Sequence, residues 1–332
     1  MRPEEWFAAR SFSSGEFGDI AVLIRLKHQR GIGVTLVLPT RSVVETIGPI
    51  LDKIAGLDRS GVRLFDQILV VDAQSTDGTL AAARRDGVEV WPEESLLPEF
   101  GPVLGEGDAL WRALSQVGGD LVVFADTDTR EFRAELVVGI AGCLLIRPEI
   151  RFAKAAYRRP FVSGETLMAD GGGRVTELAA KPLLNVFFPE LSGFVQPLAW
   201  EFGATRELLW SLPFFTGYAV EIGLLIDAFK ACGLEAMAQV DCGLRLNRHQ
   251  DLGGLSRMAH AILRAVLIRA GDPESCTRAD GLSEMASYVH AVAVADGLAM
   301  ERYDEVLVER RPMGEILRKG LLGGRQARTG PG

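Results

Sequence analysis

The sequence predicts an α/β fold in which helices flank a mostly parallel sheet. Three observations point to it. Short apolar runs alternate with stretches of helical spacing, two of those runs end in an acidic residue, and turns rich in Gly, Ser and Asp stand where a strand hands over to a helix.

The elements follow in order. Residues up to Gly31 read as a polar, partly helical lead-in. GVTLVLP, closed by Pro39, reads as a buried strand, and Val43–Ile54 has the apolar spacing of a helix. QILVVDA (Gln67–Ala73) is a second buried strand, and Ser75 or Thr76 of the STDGT stretch after it can cap the next helix. Val88–Trp91 is a third short strand, Gly107–Val117 an amphipathic helix, and Leu121–Asp128 a fourth strand ending in acid. Further on, Arg151–Tyr157 reads as a strand and Gly171–Leu184 as a glycine turn feeding a helix. Gly217–Gly233 reads as a helix, and Ala236–His249 as a strand with an exit loop. Leu255–Ala270 and Ser283–Met300 read as amphipathic helices, before a disordered tail.

Composition narrows the function. The 332 residues carry a net charge of −8 with no Lys/Arg-rich run, which argues against nucleic acid as a partner. Arg and Asp interrupt every apolar run before membrane length, so the expectation is a cytoplasmic protein with no membrane partner. Cys143, Cys232, Cys242 and Cys276 form no CxxC pair and read as reduced thiols.

Ligands of open α/β sheets sit beyond the carboxyl ends of the strands, where Asp72 and Asp126 both fall. Asp126-Thr127-Asp128 is the sharpest motif. In extended chain its two carboxylates share a face and can hold Mg²⁺ or Mn²⁺ against a diphosphate; the same triplet also suits a solvated acidic turn. VVDAQSTDGT offers a carboxylate and hydroxyls to a nucleoside, or an ordinary strand–turn–helix. GGGRVTE (Gly171–Glu177) sets free amides, Arg174 and Thr176 at a helix start, an arrangement for phosphate or carboxylate, or a flexible hairpin. LRLNRH gathers Arg245, Asn247, Arg248 and His249 after a strand, and Glu221 sits among apolar neighbours on a helix, in an active-site or a structural role. No Ser-His-Asp, Walker-type or GxGxxG arrangement is present.

Taken in order, VVDAQSTDGT, GDALWRAL, VVFADTD, YRRP, GGGRVTEL, LPFFTGYAVEIGLLID and AQVDCGLR resemble the glucosyl-3-phosphoglycerate and mannosyl-3-phosphoglycerate synthases, from about Val34 to Pro312. That resemblance implies a GT-A glycosyltransferase fold with a Rossmann-like sheet and a C-terminal helical extension. It divides the chain into a lead-in (1–31), a catalytic domain (32–250, with a nucleotide half 32–130 and an acceptor half 131–250), an extension with dimer contacts (251–317) and a flexible tail (318–332). It implies a retaining hexosyltransferase using a nucleotide-sugar donor, 3-phosphoglycerate as acceptor and Mg²⁺ or Mn²⁺, in a homodimer. Pro39, Thr40, Arg41, Ala73, Asp126 and Arg245 match donor contacts; Gly173, Arg174, Thr176, Tyr218 and Asn247 match acceptor contacts; Asp128 and Glu221 match catalytic positions.

Three departures stand out. LPTRSVVE replaces LPALNEE, so Arg41 and Val43 stand near the base and ribose. Glu106 takes the place of a lysine. Asn247-Arg248-His249 reverses the usual His-Arg-Asn. Either Asn247 takes the place of the metal-binding His and coordination weakens, or the loop shifts and His249 joins Asp128 as ligand; the second is favoured, since imidazole is the better ligand. The altered nucleoside pocket favours GDP-mannose, with GDP- or UDP-glucose as further donors. A sugar-phosphate nucleotidyltransferase and a non-catalytic nucleotide-sugar-binding protein are the rival readings.

Overall fold

The computed structural model describes residues 1–59, 61–129, 131–163, 166–168, 172–245, 251–271, 287–294, 297–304 and 307–318. Asn247 and His249, two of the expected site residues, lie outside this set, as do Gly171, Arg248 and Cys276. The strands are β1 (Ser11–Ser13), β2 (Val34–Thr40), β3 (Gln67–Asp72), β4 (Val88–Pro92), β5 (Leu121–Phe124), β6 (Phe152–Arg158), β7 (Phe161–Ser163), β8 (Thr166–Met168), β9 (Phe202–Thr205), β10 (Phe214–Phe215), β11 (Met237–Leu244), β12 (Ser287–Val294), β13 (Gly297–Asp304) and β14 (Glu309–Arg310). The helices are α1 (Pro3–Arg10), α2 (Ile20–Arg30), α3 (Val44–Ala55), α4 (Thr79–Ala83), α5 (Glu106–Ala113), α6 (Ala134–Ile146), α7 (Lys181–Phe187), α8 (Arg206–Ser211), α9 (Val220–Cys232), α10 (Leu252–Ala270) and α11 (Met313–Arg318).

Eight strands form the central sheet in the order β1-β11-β6-β9-β5-β2-β3-β4. All neighbours run parallel except β9, which lies antiparallel between β5 and β6. The near-continuous apolar character of β2, β3 and β5 follows from burial on both faces. Val37, Leu69, Val71, Val122 and Phe124 enter one core, whereas Leu36, Leu38, Val70, Leu121 and Val123 enter the other, the period-two alternation of a pleated strand. Chain order reverses between β2 and β5: β3 and β4 continue to one side of β2, and the chain then crosses back to place β5 on the other. A crevice at the carboxyl ends of strands must open at such a reversal. Thr40, paired with Asp72 in register, ends one side of it, and Ala125–Asp128 leaves β5 on the other.

Two segments depart from the sequence reading. Ser283–Met300 was expected to be helical, yet β12 and β13 pair antiparallel from Ser287↔Asp304 to Val294↔Gly297. The β-branched and aromatic residues of SYVHAVAV and the Asp296-Gly297 dipeptide are hairpin signals that outweigh its helical spacing. The lead-in contributes more than helices: β1 pairs with β11 at the sheet edge. Trp6 is fully buried, and its Nε1 donates to the carbonyls of Leu234 (2.9 Å) and Met237 (3.0 Å). No described helix is long and apolar enough to cross a membrane. Cys143, Cys232 and Cys242 carry free thiols, and burial pushes those of Cys143 and Cys242 up to about 12.

Candidate active site

Two cavities meet at the crevice. The larger, about 660 Å³, is lined by Pro39, Thr40, Arg41 and Ala73, all four expected at the nucleoside, together with Gln74, Glu93 and Glu94. Its floor is two loops stitched together. The fully buried Asp72 carboxylate accepts from Thr40 Oγ1 (3.0 Å), Ser75 N (2.9 Å) and Ser75 Oγ (2.6 Å). Asp72 is therefore occupied in shaping the loop and does not line the cavity, which corrects its reading as a ligand-facing acid. Ser75 Oγ then accepts from Ser42 N (2.7 Å), Thr79 Oγ1 from Val43 N (2.8 Å) and Asp77 Oδ2 from Val44 N (3.2 Å). These bonds satisfy amides at the start of α3 that a helix cannot pair itself. They also replace the expected cap: α4 begins at Thr79 after Gly78, without a side-chain cap from Ser75 or Thr76. Ser42 and Gln74 hold φ of 52° and 54°, a left-handed strain of about 1 kcal/mol or more each that the stitched loops sustain.

The acidic triplet lies just past the last paired residue of β5 and keeps the strand's alternation. Thr127 is buried, donating from Oγ1 to Pro39 O (2.6 Å), and its own carbonyl accepts from Thr46 Oγ1 (2.6 Å). Asp126 and Asp128 turn the other way and line both cavities. Asp126 accepts from Thr127 N (2.8 Å) and pairs with Arg245 Nη2 (2.7 Å). Arg245 also pairs with the buried Glu201, which accepts from Tyr157 Oη (3.1 Å), and Arg159 Nη2 donates to the same hydroxyl (3.0 Å). Arg245, expected among the donor contacts, thus braces Asp126 from behind and lines neither of the two cavities.

The smaller cavity, about 470 Å³, brings together Gly173, Arg174, Thr176, Tyr218 and Glu221, five residues the sequence singled out. Gly173 has φ of +70°, and a Cβ on Gly172 would stand 2.6 Å from the Arg159 carbonyl, so both positions require glycine. Arg159, Trp200 and the α10 side chains Leu255, Met258 and Ile262 also line it, and the sequence reading named none of them as site residues. YRRP at the end of β6 was a visible signal for Arg159. Trp200 and the α10 trio carry no local signal, because tertiary packing alone delivers them.

Glu106, Asp126, Asp128 and Trp200 form the wall common to both cavities. Gly107 sets α5 in place: a Cβ there would collide with the Phe215 carbonyl, so only glycine lets the helix start lie against β10. Glu106 accepts from Trp200 Nε1 (3.1 Å). Enclosure by protein raises its carboxyl above the usual range; the Trp200 bond opposes this, while Asp126 and Asp128 reinforce it. Burial, reinforced by Glu106, likewise pushes Glu221 up to about 8, despite Lys154 and Arg159. Burial draws Lys154 down to about 8, with Glu221 opposing. No cluster of three or more His, Cys, Asp or Glu side chains able to hold a metal is present among the described residues. The oxygen donors of the shared wall are of the type that suits a hard divalent cation.

No family model matches the chain. It is 40% identical over 260 residues to the glucosyl-3-phosphoglycerate synthase of Petrotoga mobilis, covering 78% of this chain and 80% of that one. The crystal structure of mannosyl-3-phosphoglycerate synthase from Rubrobacter xylanophilus superposes with a TM-score of 0.86 at 51% identity, covering 96% of this chain and 99% of that one. Glucosyl-3-phosphoglycerate synthase from Mycobacterium tuberculosis, in complex with Mn²⁺, UDP and glucosyl-3-phosphoglycerate, gives 0.75 at 38% identity, covering 90% and 95%.

Proposed function

The chain belongs to the glucosyl-3-phosphoglycerate synthase family of hexosyltransferases, and from that membership we propose that it moves mannose or glucose from a nucleotide-sugar to 3-phospho-D-glycerate. GDP-mannose is the favoured donor, with GDP- or UDP-glucose as further ones. The observation that carries this reading is the shared wall. A nucleotide in the 660 Å³ cavity and an anionic acceptor in the 470 Å³ cavity come together at Asp126, Asp128, Glu106 and Trp200.

The chemistry asked of the chain is positioning and charge. Pro39, Thr40, Arg41 and Ala73 seat the nucleoside. Arg174, the Gly173 amide and the Thr176 hydroxyl clamp the acceptor's phosphate and carboxylate. Tyr218 and Glu221 stand at the sugar and the acceptor hydroxyl, where burial keeps the Glu221 carboxyl protonated near neutral pH. The acceptor hydroxyl forms the new bond to the anomeric carbon as the bond to the diphosphate breaks on the same face, and the departing phosphate oxygen takes the proton. Asp128 and His249 would hold Mg²⁺ or Mn²⁺, which supplies charge to the leaving diphosphate. We assign the homodimer contact to the C-terminal segment, where Val289 and Met300 stand exposed.

A panel of GDP- and UDP-mannose and -glucose with 3-phosphoglycerate and Mn²⁺, followed by phosphorus NMR, tests the proposal. Formation of nucleoside diphosphate and a hexosyl-3-phosphoglycerate, fastest with GDP-mannose, is expected. No transfer from any donor would overturn it.

A further inference from the structure

We propose that Glu93 reads the donor base and selects guanine over uracil and adenine. This inference rests on the larger cavity being the nucleotide-sugar site. Glu93 opens the short 3₁₀ turn directly after β4 and lines that cavity beside Arg41, Ala73 and Gln74. It is half-buried, and its carboxyl group makes no hydrogen bond or ion pair with any described residue. Every other acid around the nucleoside end is either engaged, as Asp72 is by Thr40 and Ser75, or exposed, as Glu94 is. Burial pushes the Glu93 carboxyl up to about 7, helped by Glu94, Asp72 and Asp108 and opposed by Arg41. An acceptor held this way lacks a donor partner, and the cavity is where one would come from.

The edges of the bases decide which donor fits. Guanine presents N1–H and the N2 amino group side by side, a pair of donors matched to the two oxygens of one carboxylate. Its neighbouring O6 accepts, a role complementary to the Arg41 guanidinium or the Gln74 amide in the same cavity. Uracil flanks its single N3–H with two carbonyl oxygens, so a carboxylate that accepts from N3–H is pressed against a second acceptor. Adenine puts the acceptor N1 where guanine puts N1–H. A site that hydrogen-bonds a ligand N–H discriminates strongly against ligands lacking it, because its polar group is otherwise left unpaired. The cavity, about 660 Å³, has room for a purine nucleotide.

Isothermal titration of GDP, UDP and ADP with Mn²⁺ onto the intact chain, without acceptor, tests this, using the wild type, Glu93→Gln and Glu93→Ala. The wild type should bind GDP at least roughly tenfold more tightly than UDP or ADP. Both variants should lose roughly ten- to a hundredfold in GDP affinity while UDP affinity moves by less than about twofold. Thermal melts confirm folding, and the isosteric Gln variant carries the test if the Ala variant unfolds. Equal wild-type affinities, variants that weaken all three nucleotides alike, or an intact GDP preference without Glu93 would each overturn the inference. Because only nucleotide binding is read, base selection is separate from catalysis: UDP bound as tightly as GDP would sink this inference and leave the family activity standing. Selective GDP binding without transfer would do the reverse.

Discussion

The two cavities share one acidic wall yet add different charges to it, carboxylates on the larger side and guanidiniums on the smaller. Around the larger one stand Glu93, Glu94, Glu106, Asp126 and Asp128, with Arg41 as the cation. The smaller adds Arg159, Arg174, the glycine backbone and the buried Glu221 to the shared acids. Both are proposed to take anionic ligands, so they must solve the same problem by different means. On the acceptor side the protein's own cations and amides face the phosphate and carboxylate. On the donor side a diphosphate meets carboxylates, and Glu106 stands where the family resemblance leads one to expect a lysine. The contrast predicts that donor binding depends on a divalent cation and that acceptor binding does not.

Asp128→Ala strikes the donor side hardest. Transfer should fall about a thousandfold or more, since the charge a bound metal contributes to a transition state amounts to several kcal/mol. Nucleoside diphosphate release under saturating substrates measures it, and near-normal turnover with excess Mg²⁺ would break the comparison. Arg245→Ala removes the brace shared by Asp126 and the buried Glu201. Leaving Glu201 unpaired should cost about 3 kcal/mol of folding stability in denaturant titrations. A loss of activity at unchanged stability would instead make Arg245 a ligand contact. Arg174→Ala should raise the KM for 3-phosphoglycerate roughly ten- to a hundredfold and leave nucleotide affinity unchanged; an equal loss in both would show that the two cavities do not separate as charge suggests.

The smallest effect is on pH dependence. Burial raises the Glu221 carboxyl to about 8 in the fold against an ordinary 4.5, so the folded chain binds the extra proton between those values. Stability contributed there is present at low pH and is lost as pH rises through about 8. Glu221→Gln should therefore gain in melting temperature relative to the wild type as pH goes from 5 to 8. A constant difference between the two proteins would remove the titration from the account. Lys154, drawn down to about 8, acts with the opposite sign and only above that pH.

The same two sides differ in how far the sequence exposes them. The donor side is local: β2, β3 and β5 are apolar runs whose ends and following loops line the cavity, so the acidic triplet could be read in place, while Pro39, Thr40, Arg41 and Ala73 were reached through the family resemblance. Even there, Asp72 misled, because strand-end position does not say whether a carboxylate faces a ligand or its own loop. The acceptor side is assembled from distant pieces. Gly173, Arg174 and Thr176 announce themselves by composition, whereas Trp200 and the α10 trio arrive only through packing. The antiparallel β9 and the three-residue β1 are too short to show a period. In β12 and β13, alanine and valine at mixed spacing imitate a helix until the Asp-Gly turn is weighed.

The most direct test of the charge contrast is to titrate GDP and 3-phosphoglycerate separately onto the intact chain, first in EDTA and then in Mn²⁺. The account predicts that Mn²⁺ tightens GDP binding by about a hundredfold while 3-phosphoglycerate affinity changes by less than about twofold. Nucleotide binding of equal strength with and without the metal would contradict it.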